Sequence, residues 1–239
     1  MANKWERPIY FAVTVAPDSK IGLDDYLWMD GLAWRLKPIP APQETGIQKE
    51  SMEANLITEN VVPSKEPQYG YLFRHLNDPT TYFDENAVRL TINYRSAFIR
   101  LALYYQNVDR DLEKAKKALE RMDSVIPLEI IEFDWRLAAD VMSFFGKVGL
   151  PEKQEKYSIY VEKKAWELID QNPGDISNYY SPYRVLLDIY ESRKDYAKSI
   201  DILNRVSIYF PNDPTIKTRI TELRGLMKAQ ADTGHKIPQ

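Results

Sequence analysis

The first apolar run of the chain is WERPIYFAVTV at residues 5–15, and it is nearly uninterrupted. Such a run is typical of a strand that is buried on both faces of a sheet. The segment Leu23–Met29 predicts a short helix that ends before Gly31, and the alternation in LAWRLKPIP predicts a half-exposed strand. Residues 1–42 are therefore predicted to form a small α/β segment in the order strand, helix, strand.

Two arrangements explain this sheet in a chain that otherwise has a helical pattern. In the first, further strands lie upstream, and the sheet exposes an apolar edge that is available for docking or self-association. In the second, the strands at residues 8–15 and 32–39 pair with each other and are covered by the helices.

Residues 43–83 have no sustained period and are predicted to be an irregular connecting segment. Pro63, Pro67 and Pro79 exclude long elements there. Met52–Val62 fits either a strand or a short helix.

From Asp84 onward the apolar period becomes that of a helix. Asp84 is a suitable N-cap, and the first helical stripe consists of Leu90, Tyr94, Phe98, Leu101 and Tyr105. About seven helices are predicted within residues 84–230, followed by a flexible tail at residues 231–239.

Proline residues end these helices at regular intervals. Pro127, Pro173 and Pro211 are separated by 46 and 38 residues, a period that is typical of stacked helix–turn–helix units. The stretch DIYESRKDYAKSIDILNRVSIYFPNDP resembles a tetratricopeptide repeat, with Ala197 as the small residue at the helix crossing. The predicted fold class is therefore mainly α, a tetratricopeptide-like α-solenoid preceded by the small α/β segment. A non-repeating helical bundle is the alternative.

Composition narrows the function classes. The net charge of −3 argues against a nucleic-acid partner, and the absence of cysteine excludes disulfides and thiolate chemistry. No apolar stretch approaches the roughly 20 residues that span a bilayer. The two histidines, His75 and His235, have no metal-binding spacing, and no nucleophile or phosphate-binding motif is present. We predict no catalytic residue, no cofactor and no metal ligand.

Two groups of side chains are candidates for binding a protein or peptide partner. Arg89, Asn93 and Arg100 form a polar stripe opposite the apolar stripe of the first helix, where either a solvated face or a partner-contacting face is expected. Tyr179 and Tyr183 are suited either to stacking on a ligand or to packing between helices.

Three motifs resemble a known family. NKWERPIYFAVTV and IGLDDYLWMDGLAWRLKPI are similar to a conserved region of bacterial multi-pass membrane proteins, long described as a domain of unknown function and related to transmembrane protein O-mannosyltransferases. YFDENAVRLTINYR resembles a later helix of the same family, which a tetratricopeptide-like region follows. The matching positions include Trp5, Arg7, Pro8, Tyr10, Tyr26, Tyr82, Asp84, Glu85, Asn86 and Arg95.

The resemblance implies a function that the residues themselves do not reveal. Members of the family are expected to transfer a sugar from a lipid-linked donor, using membrane helices that precede the region matched here. The chain is then a non-catalytic binding or scaffolding region on the periplasmic side of the bacterial inner membrane, and its partners are an acceptor polypeptide and its own upstream membrane region. The alternative is a free-standing tetratricopeptide-type adaptor in the cytoplasm.

Overall fold

The computed structural model describes residues 7–42, 46–66, 68–176 and 181–234. Within these ranges the chain is mainly α-helical, with a small three-stranded sheet near its N-terminus. The predicted mainly-α class with a small α/β segment is confirmed. The assignment to tetratricopeptide repeats stays a prediction.

The sheet consists of β1 (Tyr10–Ala12), β2 (Leu27–Asp30) and β3 (Ala33–Leu36), in the order β1–β3–β2. Both pairings are antiparallel, and Phe11 lies opposite Trp34. The predicted pairing of these two strands with each other is thus confirmed.

Two sequence predictions for this segment are wrong. The strand expected at residues 5–15 is only three residues long where it is described, and Tyr10 is 46 % exposed rather than buried. The strand is short because the chain turns after Ala12, whose carbonyl accepts the Val15 N–H at 3.0 Å. A strand at the edge of a small sheet has little cover on either face.

The helix expected at Leu23–Met29 is also absent. Asp24–Tyr26 forms one 3-10 turn, and the residues that follow it enter β2. Leu27 and Met29 alternate into the core, and Gly31 makes the tight turn to β3 with a φ of +64°. Pairing with β3 therefore outweighs the local helical pattern.

Eight α-helices follow in the described ranges. They are α1 (Lys49–Leu56), α2 (Glu85–Tyr104), α3 (Leu112–Val125), α4 (Trp135–Lys147), α5 (Pro151–Gln171), α6 (Pro182–Ser192), α7 (Tyr196–Ser207) and α8 (Pro214–Gly234). A π-helical turn at Tyr105–Asp109 extends α2. The segment expected to be irregular thus contains one short helix, α1, which resolves the ambiguity at Met52 in favour of a helix.

The helices begin where their sequences provide caps. The side chains of Asp84, Asp111 and Asp195 each accept a backbone N–H of the first turn that follows, at 2.7, 2.9 and 3.1 Å respectively. Pro182 stands in the first turn of α6, where its missing N–H costs nothing.

The chain divides into two compact units, residues 1–133 with 144–151 and residues 134–143 with 152–239. In the first unit, α1 contacts both β2 and α2, and α2 packs against α3. In the second unit, α7 packs against both α6 and α8, around a core of Leu203, Ile216, Ile220 and Leu223. The predicted boundaries at residues 42, 83 and 230 stay a prediction.

Candidate functional site

The acidic motif at the start of α2 forms the cap of that helix. Asp84 accepts the Ala87 N–H, and the amide oxygen of Asn86 accepts a hydrogen bond from Arg89 at 3.3 Å. Glu85 adds a negative charge to the first turn, where it favours the helix dipole. Tyr82 precedes the helix and is 88 % exposed, so its ring is available for contact.

The predicted polar stripe of α2 has two different ends. Arg89 is exposed and Asn93, four residues later on the same helix face, is half-buried. Arg100 is also exposed, but its guanidinium carbon lies 5.3 Å from the centroid of the Trp34 ring. The same ring has the Lys20 ammonium 5.8 Å from its centroid. The stripe therefore presents an exposed guanidinium at Arg89 and a cation–aromatic contact with the sheet at Arg100.

Arg95 is a structural residue in the interior. It is 0 % exposed, and its guanidinium donates to the carbonyls of Ile126 at 3.1 Å and Ile131 at 2.7 Å. Its guanidinium carbon lies 4.1 Å from the centroid of the Phe133 ring. The side chain thus ties α2 to the segment that follows α3.

An aromatic cluster joins the connecting segment to α2. Tyr71 and Phe73 each make edge contacts with Tyr94, and Phe73 lies against Phe98. Burial raises the pKa of Tyr71 to about 12, against the effect of a backbone hydrogen bond from Leu32. Sequence reasoning missed this cluster because Tyr71 and Phe73 follow no periodic pattern.

The remaining family-motif residues lie around the sheet. Arg7 and Pro8 are exposed, and Tyr26 is 39 % exposed with its carbonyl accepting the Lys37 N–H at 3.0 Å. The hydroxyl of Tyr10 donates to Asp30 at 3.1 Å. Trp5 lies outside the described residues.

The candidate tyrosines of the second unit do not form a described binding surface. Tyr183 is 4 % exposed, and its hydroxyl donates to the Pro173 carbonyl at 2.9 Å, so its ring packs in the interior. Tyr179 lies outside the described residues.

The part of the chain that the structure describes has neither a metal centre nor a membrane span. No group of three or more His, Cys, Asp or Glu side chains there is placed to hold a metal ion. None of the described helices combines the length and the apolar character that crossing a membrane requires.

A comparison with known families finds a match at the start of the chain. Residues 1–56 match the model of TMEM260-associated domain 2. The matched range contains the three strands of the sheet and α1, so it links this part of the chain to TMEM260, a family related to protein O-mannosyltransferases. No curated protein matches the chain. No solved structure matches it either.

Proposed function

We propose that this chain is a non-catalytic binding region of a TMEM260-like, glycosyltransferase-related membrane protein, and that it contacts an acceptor polypeptide or a partner of that protein. The match of residues 1–56 carries the proposal, because it joins the sheet and α1 to such a protein family.

The roles of the polar motif residues support binding rather than chemistry. Asp84 is occupied as a helix cap, and Arg95 is occupied inside the fold. Arg89 is exposed and Asn93 is half-buried on one face of α2. A guanidinium and a carboxamide on one exposed helix face can donate to the carbonyls and carboxylates of a bound polypeptide.

The proposal includes a location in the cell. The chain would lie on the periplasmic side of the bacterial inner membrane, attached to an upstream membrane region. The rival function is a free-standing tetratricopeptide-type adaptor in the cytoplasm, which the succession of packed helix pairs α6–α7 and α7–α8 favours.

An immunoblot of fractionated source cells tests this assignment. An antibody raised against the chain should detect a band far larger than 27.9 kDa in the membrane fraction. A band at 27.9 kDa in the cytosolic fraction would overturn the proposal in favour of the adaptor.

Site-specific photo-crosslinking tests the binding surface in the native protein. A crosslinker at Asn93 should capture a polypeptide, and Arg89→Ala should reduce that capture without changing the melting temperature. Arg224→Ala is the matched control, because Arg224 is also exposed but lies on α8. Equal capture by both variants would contradict a role for the α2 face.

A further inference from the structure

One face of the sheet presents a row of aromatic and cationic side chains. Arg35 on β3 lies opposite Tyr10 on β1 and opposite Trp28 on β2, so the three side chains share one face. The Arg35 guanidinium carbon lies 6.0 Å from the centroid of the Tyr10 ring. The Lys37 ammonium lies 4.1 Å from the centroid of the Trp28 ring.

The two cations of this row have no ion-pair partner among the described residues. Burial and the nearby charge of Arg35 lower the pKa of Lys37, while Asp30 and Glu50 oppose that shift. Asp30, two residues after Trp28 on the same face of β2, accepts hydrogen bonds from Tyr10 and Ser51, and its charge offsets the two cations only in part. An added anion over Arg35 and Lys37 would relieve their mutual repulsion.

Exposed apolar groups surround the cations. Tyr10 is 46 % exposed and Ile39 is 55 % exposed, and the Ile39 carbonyl accepts the indole N–H of Trp28 at 3.1 Å. Tyr69 is 66 % exposed, and its charge contributes to raising the pKa of Tyr10. Aromatic rings beside lysine and arginine suit a membrane–water interface, where rings lie at headgroup level and cations meet lipid phosphates.

From this juxtaposition we infer that the sheet face formed by Tyr10, Trp28, Arg35 and Lys37 docks onto an anionic lipid surface. The occupant is the headgroup layer of a bilayer, because a half-exposed sheet face with aromatic and aliphatic side chains and two cations without an ion-pair partner complements a negative plane. The inference goes beyond polypeptide binding and does not depend on the α2 face.

Vesicle co-sedimentation of the chain tests this docking. The chain should bind phosphatidylcholine vesicles that contain one third phosphatidylglycerol, and not pure phosphatidylcholine vesicles. Raising the salt from about 0.1 M to about 1 M shortens the Debye length to about 3 Å and should release it. Replacing both cations, Arg35→Gln with Lys37→Gln, should weaken the partition roughly thirty-fold, which corresponds to about 1 kcal/mol for each cation.

Two further variants separate charge from folding. Lys217→Gln with Arg224→Gln removes the same charges from the exposed side of α8 and should leave vesicle binding unchanged. Arg35→Lys with Lys37→Arg keeps both charges and should retain vesicle binding. This variant keeps the test valid if the doubly neutralised variant, Arg35→Gln with Lys37→Gln, has a lower melting temperature. If the α8 variant lost as much vesicle binding as Arg35→Gln with Lys37→Gln, the inference would be overturned. Release from the vesicles by inorganic phosphate at constant ionic strength would also overturn it, since this would indicate a site for a small anion.

Discussion

Arg95 and Phe133 stack in the interior of the first unit, with 4.1 Å between the guanidinium carbon and the centroid of the ring. The same guanidinium donates to the carbonyls of Ile126 and Ile131. One side chain of α2 therefore holds the whole turn that follows α3. A planar, always charged group with several donors suits this task, since it can stack and donate at the same time.

Replacing Arg95 should destabilise the protein strongly. Arg95→Ala removes a fully buried side chain and leaves two buried carbonyls without this donor, and we expect a loss of about 3–5 kcal/mol in the free energy of unfolding. Arg95→Lys should lose about half as much, because an ammonium can reach a carbonyl but cannot stack on Phe133. Urea unfolding followed by circular dichroism measures both.

Arg89→Ala on the same helix is the control for Arg95. Arg89 is exposed, and its described hydrogen bond is a long one to Asn86, so its loss should change stability by no more than about 0.5 kcal/mol. If Arg95→Ala were as mild as Arg89→Ala, the buried hydrogen bonds would have no net stabilising role.

Gly31 should tolerate no side chain. Its φ of +64° is unfavourable for other residues, and an added methyl group would overlap the hydroxyl oxygen of Tyr71. Edge contacts with Phe73 and Tyr94 oppose a movement of the Tyr71 ring away from the added methyl group. Gly31→Ala should therefore cost about 1–2 kcal/mol for the backbone and about 1–3 kcal/mol more for the overlap.

Gly149→Ala separates these two costs. Gly149 has a similar φ of +75°, and no described atom lies within 4 Å of an added methyl group. Gly149→Ala should lower the free energy of unfolding only by the backbone cost, about 1–2 kcal/mol. Combining Gly31→Ala with Tyr71→Phe should recover part of the difference, and a double-mutant cycle of unfolding free energies with no coupling would contradict the overlap.

Asp84 should stabilise the protein by capping the N-terminus of α2. Asp84→Ala should cost about 1 kcal/mol, whereas Asp84→Asn should cost little because an amide oxygen also accepts the Ala87 N–H. Asp111→Ala provides a comparison, since Asp111 caps α3 with similar geometry. Thermal melts of the three variants measure the effect, and an equal loss for Asp84→Asn and Asp84→Ala would mean that the charge matters more than the cap.

Local signals were sufficient to predict that the chain is helical from Asp84 onward. Asp84 does cap α2, and Phe98 and Leu101 of the predicted stripe are both 0 % exposed. Such features depend on residues within one or two turns of each other, so the sequence contains them directly. The helix predicted at Leu23–Met29 was wrong because pairing with β3 decides the conformation of Leu27–Asp30. Local residue spacing contains no information about that partner strand.

The surfaces were harder to predict than the elements. The stripe on α2 was predicted, but the contact of Arg100 with Trp34 joins residues 66 positions apart and has no local signature. The row on the sheet has a partial signal, since Trp28 lies between the buried Leu27 and Met29, and Arg35 and Lys37 flank the buried Leu36. Only the register of the three strands brings Tyr10 beside them.

A network of charged and aromatic groups joins α5 to the end of α6 in the second unit. Arg193 pairs with Glu162, and also with Glu155 at 2.9 Å. The Tyr190 hydroxyl donates to Glu162 at 2.8 Å and accepts the indole N–H of Trp166 at 3.0 Å. Burial opposes ionisation of Glu162, but the hydrogen bonds from Arg193 and Tyr190 prevail and hold its pKa below the ordinary value of 4.5.

Acid should therefore remove the contribution of Glu162 to stability. Because the folded pKa of Glu162 is lowered, its contribution is complete above the ordinary value of 4.5 and is lost as the pH falls through the lower folded pKa. Glu162→Gln should cost about 1 kcal/mol at neutral pH, a modest loss because the pair is partly exposed, and it should flatten the decline of stability below 4.5. Urea unfolding of wild type and Glu162→Gln at pH values above and below 4.5 measures the difference.

Glu66→Gln, in an exposed loop, is the control and should leave the dependence of stability on pH as it is in the wild type. If wild type and Glu162→Gln declined in parallel, the network would not be the source of the acid sensitivity.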